Sequence, residues 1–227
     1  MTDNDRSPSL SGESSDDLTG REPVISGVGS KLLADMRGAY LAGNVEGLLN
    51  LMDDDQQLAF KRWNVDLGLR KVRPVIHYFE EDCPDEPRLR RQVAGAEEWL
   101  QQPDSDVARR ARSLAGRGWR EEDRCAWVSE NAAHASRAAR LLIIYVATDD
   151  VLLIRELLVF VLQIHKPAWL SIAPDGRSLS ERVQAHLQNL KQAKRMILHA
   201  QLRVAYIILG GNPFAVAGER RWYDPTD

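Results

Sequence analysis

An all-α fold, built as a multi-helix bundle with a long C-terminal helix and a disordered N-terminal tail, is the architecture predicted for this 227-residue chain. Three observations predict it. Leu, Ala and Arg number 28, 24 and 24 residues, and all three are strong helix formers. Between Gly20 and Pro225 the only threonine is Thr148, so one of the β-branched residues that favour strands is nearly absent. From Lys31 to Gly211, breaks made of Gly, Pro and Asp recur at helix-length intervals.

Residues 1–29 hold four Asp, two Glu and two Arg among Ser, Gly and Pro, a net charge of −4. Such a segment buries too little apolar surface to offset its ordering entropy, so a disordered tail is expected. The whole chain carries −3, which leaves +1 on residues 30–227. One helical domain is expected over residues 30–211, with a C-terminal extension at 212–227.

The first helix is expected from Lys31 to Ala42, ended by Gly43-Asn44, and a short one from Val45 to Met52. Asp53, Asp54 and Asp55 place acids at the next N-terminus, where the helix dipole favours them, and Phe60, Trp63 and Leu67 follow at spacings of three and four. Pro74 should kink or restart the element. A second piece runs through Val75, Ile76 and Phe79 to Cys83-Pro84. Asp85 is expected to cap the following helix, with Pro87 in its first turn and Leu89, Val93, Ala96 and Leu100 inward. Pro103 closes it.

Asp104 or Ser105 should start a short helix ending near Gly116, and Glu121 to Ala147 a long one, whose alanines at 132, 133, 135, 138 and 139 allow close approach of a neighbour. Thr148-Asp149-Asp150 reads as a turn and cap. Val151 to His165 is apolar nearly all round and is expected to be the buried central helix. A β-hairpin of Leu141 to Tyr145 with Val151 to Val161 competes, because short apolar runs do not separate strand from buried helix. A membrane span over Leu141 to Ile164 is excluded by Asp149, Asp150, Arg155 and Glu156 in its middle, at roughly 2.5–3.5 kcal/mol per central charge. The last helix, Leu179 to Leu209, carries Leu179, Val183, Leu187, Leu190, Ile197, Ala200, Val204 and Ile207 on one stripe and stops at Gly210-Gly211. That stripe is a candidate homodimer contact.

Composition is that of an ordinary soluble protein, 44% hydrophobic and 28% charged, and a pI near 6.0 excludes a global basic field. Two cysteines, Cys83 and Cys125, are too few for a disulfide framework. With no apolar h-region at the N-terminus, no secretory signal is expected, and reduced thiols in the cytoplasm are the default.

Several chemistries can be tested against residue spacing. Gly27-Val28-Gly29-Ser30-Lys31 resembles a phosphate-loop fragment, but the required glycine spacing and the preceding strand are missing. Among His77, His134, His165, His186 and His199, no pair stands four apart as metal ligation on one helix face wants, so no metal and no cofactor are expected. His134 and His165 could meet only through tertiary folding, and a helical enzyme built on them is a third reading. Cys83 sits among Glu80, Glu81, Asp82 and Asp85, which raise a thiol pKa and weaken it as a nucleophile. Cys125 reads as a small core residue. No catalytic residue is expected.

The stretch Arg109 to Arg124 sets Arg109, Arg110, Arg112, Arg117, Arg120 and Arg124 against Glu121, Glu122 and Asp123, a local +3. This cluster could grip phosphates, and a nucleic-acid-binding regulator is the alternative function. An acidic triplet in the first turn of the would-be recognition helix, and arginine richness throughout the chain, make nucleic acid the less expected partner.

The segment VIHYFEEDCPDEPRLRRQVAGAEEWL, Val75 to Leu100, carries Phe79, Glu80, Pro84, Asp85, Pro87, Arg88 and Trp99, and an alanine-rich helix follows at Glu130 to Arg140. On these residues the chain resembles an immunity protein family with a helical domain, over about Asp53 to Ile164. The resemblance implies a small α-helical, non-catalytic protein that binds and blocks a cognate toxin in bacterial competition. Two departures stand out. Leu152, Leu153, Ile154, Leu157 and Leu158 are bulky where the family is small and histidine-containing, and the long C-terminal helix has no counterpart. An inhibitor of a basic toxin cleft wants a rigid acidic surface, and Glu80, Glu81, Asp82, Asp85 and Glu86 around Pro84, with Arg88, are the candidate partner-binding residues.

Overall fold

The computed structural model describes residues 29–116, 129–164 and 179–216, and every regular element among them is helical. The competing β-hairpin is therefore replaced by two helices. The expected tail, from residue 28 back, and residues 217–227 lie outside the described residues, as do Arg117, Arg120, Arg124, Cys125 and His165.

The helices are α1 (Ser30–Leu41), α2 (Val45–Leu49), α3 (Asp54–Val72), α4 (Ile76–Asp82), α5 (Arg88–Gln101), α6 (Ser105–Gly116), α7 (Glu130–Thr148), α8 (Val151–Ile164) and α9 (Leu179–Ile208). Local chemistry explains most boundaries. Gly43 takes φ 69° after α1, and the Asn44 side chain accepts the Gly47 N–H at 2.8 Å to start α2. At α3, Asp53 Oδ1 accepts the Gln56 N–H at 2.8 Å while Gln56 Oε1 accepts the Asp53 N–H at 3.1 Å, a reciprocal capping box. Pro74 makes residues Arg73–Val75 a single tight 3-10 turn between α3 and α4. Asp149, with φ 64°, ends α7, and Asp150 Oδ1 accepts the Leu152 N–H at 3.0 Å to open α8.

Four expectations need correction. Asp85 does not cap α5; Pro87 occupies the N-cap position, and the Glu86 carboxylate accepts the Arg88 N–H at 3.1 Å. The long helix expected from Glu121 begins at Glu130, because Ser129 is extended (φ −149°, ψ 136°) and its hydroxyl accepts the Ala132 N–H. The central helix is α7, not α8. Ala132, Ala135, Ala138 and Ala139 are fully buried on it, and their small side chains let α3, α4, α5, α6 and α8 all pack around one axis. On α8, Leu152 and Leu162 face solvent. Finally, the buried face of α9 is not the apolar stripe: Gln201, Leu202, Ala205 and Tyr206 are buried, whereas Val183, Leu187 and Ile207 of the stripe are exposed.

The core is continuous. Leu142, Ile143 and Tyr145 of α7 meet Ile154 and Leu157 of α8 and Phe60, Val65 and Leu69 of α3 in one cluster, with Tyr40 of α1 stacked on Tyr206 of α9 at 4.5 Å. Gly68 marks the closest approach of α3 to α7: a Cβ there would lie 2.6 Å from a methyl of Leu142. Val216, in the expected C-terminal extension, is also buried against this core.

Candidate functional site: the Pro84 turn, the arginine cluster and a polar cleft

Phe79 is buried and fixes α4, so the chain leaves the body at Glu80–Asp82 and returns at Leu89, also buried. Between them, the Cys83 N–H donates to the Phe79 carbonyl at 2.8 Å and the Glu86 N–H to the Cys83 carbonyl at 3.1 Å. Cys83 is disulfide-bonded, which overturns the reduced-thiol expectation for this residue. The turn is therefore held from three directions.

Its acids divide into two kinds. Glu80 is ion-paired with Arg90, and that hydrogen bond holds its carboxyl below the usual carboxylate range. Glu86 is paired with Arg88 at 2.8 Å and is lowered for the same reason. Arg88 is itself mostly covered, so it serves Glu86 more than the surface. Glu81 and Asp85 are exposed, and Asp82 is half-buried. The acidic tip has fewer open charges than five acids in the sequence imply.

Two of the three described arginines of the cluster are ion-paired in the same way. Arg109 pairs with Asp106 at 2.7 Å one turn before it on α6, and Arg110 reaches across to Glu98 on α5. Arg112 is exposed without an ion pair among the described residues. His134, the described member of the catalytic-histidine reading, lies 3.3 Å from Glu130 and packs its ring against Phe160 at 5.7 Å. Among the described residues no group of three His, Cys, Asp or Glu is arranged to hold a metal ion.

Sequence reasoning missed the most polar interior feature. Asn64 of α3 and Gln201 of α9 are both fully buried, 137 residues apart. Gln201 donates to Asn64 Oδ1 at 3.0 Å and accepts from Arg155 Nε at 2.7 Å, while Asn64 donates to the Phe60 carbonyl. Burial pushes the Tyr145 phenol up and the Arg155 guanidinium down. Gln201 falls between Ile197 and Val204 on an apolar stripe, a signal that was there to read.

Beside this network lies a cleft of about 510 Å3 lined by Lys61, Trp99, Tyr145, Asp149, Asp54 and Asp104, among others. Its size suits a small ligand. Its inner polar groups are already engaged, however. Lys61 Nζ sits 4.6 Å over the Trp99 ring, donates to the Val146 carbonyl at 2.8 Å and pairs with Asp149, while Asp104 Oδ1 accepts the Asp106 N–H. The cleft thus ties α3, α5, α6, α7 and α8 together.

No family model matches the chain, and no curated protein or solved structure matches it. What is established is the class: an all-α bundle in which no described helix is long and apolar enough to cross a membrane.

Proposed function

We propose that this is a non-catalytic binding protein of the immunity type, which neutralises a cognate toxin by direct contact. The observation that supports it most is the Pro84 turn. Glu81 and Asp85 stand exposed and free of ion pairs among the described residues, on a backbone held by Phe79, Leu89 and the Cys83 disulfide, with the flanking acids locked by Arg88 and Arg90. A tip ordered before encounter loses little entropy on binding, and its open carboxylates steer a basic cleft toward it.

The test is retention of the product of a neighbouring toxin-like reading frame by the purified chain. Retention that falls in a Glu81→Lys/Asp85→Lys variant, mainly through an association rate about tenfold slower and less sensitive to salt, supports the reading. Failure to retain any toxin-like partner overturns it. The compartment is checked by trapping thiols in intact cells, where Cys83 caught as a disulfide marks an oxidising compartment and Cys83 caught as a free thiol marks the cytoplasm. The nucleic-acid reading has no comparable support, because Arg109 and Arg110 are taken up by Asp106 and Glu98.

A further inference from the structure

The first half of α9 is unlike the second. From Gln201 onward the helix is seated on α1, α2, α3 and α8, but no described side chain before Gln201 is buried. The inward face nevertheless continues along the exposed half: Val183, Leu187, Lys194, Leu198, Gln201 and Ala205 follow at steps of three, four or seven and share one side of the helix. Val183 is 44% exposed and Leu187 51%, and on α8 Leu152 is 50% exposed. Between α8 and α9 runs a groove of about 290 Å3, with Leu152 and Leu198 as its apolar floor. Arg155, Lys194 and Arg195 line its walls against a single acid, Glu156.

Charge decides what this ledge fits. On or beside this face of α9 Lys191, Lys194 and Arg195 are exposed, and the one acid of the helix, Glu181, stands at its start. A second copy laid on the same face would set these cations against their like, which opposes the homodimer contact that the stripe alone suggests. A lipid surface wants its apolar residues on one outer face, whereas here they flank a groove between two helices that another side chain can enter. We propose that the groove of α8 and the overhanging half of α9 form a docking ledge for an acidic amphipathic helix of a partner protein. Leu-type side chains of that helix enter between Leu152 and Leu198 and lie further along against Leu187, and its carboxylates meet Lys194 and Arg195. The ledge lies on helices other than those of the Pro84 turn, so it is independent of the toxin contact.

The probe is a fluorescent peptide of about 18 residues, with Leu at i, i+3, i+4 and i+7 and Glu elsewhere, titrated with the full chain. Its controls are a scrambled peptide of the same composition and phosphatidylglycerol vesicles. Saturable binding is expected, weakened about tenfold or more by Leu187→Ser and by Lys194→Glu/Arg195→Glu, and weakened by salt. These positions are exposed, so thermal melts of the variants should match the parent. The Glu81→Lys/Asp85→Lys variant should bind the peptide unchanged, which separates this result from the toxin reading. Absence of saturable binding, equal binding of the scrambled peptide, recruitment to vesicles through the same residues, or self-association abolished by the same substitutions would each overturn the proposal.

Discussion

Gln201 shows how much one buried side chain decides. Its amide is the acceptor for Arg155 and the donor to Asn64, so Gln201→Leu keeps the volume but strands the buried Asn64 amide oxygen and the half-buried Arg155 guanidinium. The expected cost is roughly 2–4 kcal/mol, read as a lower midpoint in urea unfolding. At the Pro84 turn, the carboxyls of Glu80 and Glu86 are lowered by their arginines. A folded-state value below the unfolded one stabilises the fold above the unfolded value and ceases to do so as pH falls through the folded one. Glu80→Gln/Glu86→Gln should therefore lower Tm only slightly near neutral pH, because these pairs are partly exposed, and the difference should disappear as pH falls through the lowered carboxyl values. Cys83 makes a stronger prediction. Alkylation of the denatured, unreduced chain should leave Cys83 unlabelled, and reduction should lower Tm by roughly 5–15 °C.

Among the elements, α3 announces itself most completely in its own residues. The Asp53 capping box satisfies two N–H groups at once, and Asp53→Ala should lose about 1 kcal/mol without altering the fold. A thermal melt with unchanged helical circular dichroism checks this. The start of α7 was less legible. The run from Glu121 has helix-forming residues on both sides of Ser129, and nothing in propensity shows that Ser129 turns extended and caps instead. The same holds for α5, where Asp85 and Glu86 compete for one structural position and the Arg88 pairing settles it.

At the scale of the whole molecule, hydropathy and burial part company. The most apolar segment of the chain became α8, which keeps Leu152 and Leu162 in water, while the alanine-rich α7 took the centre because only small side chains let several helices pack around one axis. Leu142→Ala on α7 should consequently cost about 2–5 kcal/mol, and Leu152→Ala on α8 less than about 0.5 kcal/mol. Reversal of that order in chemical denaturation would mean that the central helix is misassigned. The candidate surfaces follow the same logic. Open acids were legible as residues, but Arg90 lies ten positions from Glu80, and Arg110 twelve from Glu98, beyond any local rule of charge pairing.

Helix content, most caps and breaks, the excess of acid before residue 30 and the basic run along α9 all follow from interactions reaching no further than four residues, and so were present in the order of the amino acids. Which helix sits at the centre, which ion pairs close, why part of α9 is seated and part overhangs, and how Asn64 comes to meet Gln201 depend on contacts between segments from ten to more than a hundred residues apart. Those contacts form only when the helices pack, because burial rewards the fit of whole faces and not the identity of any single residue.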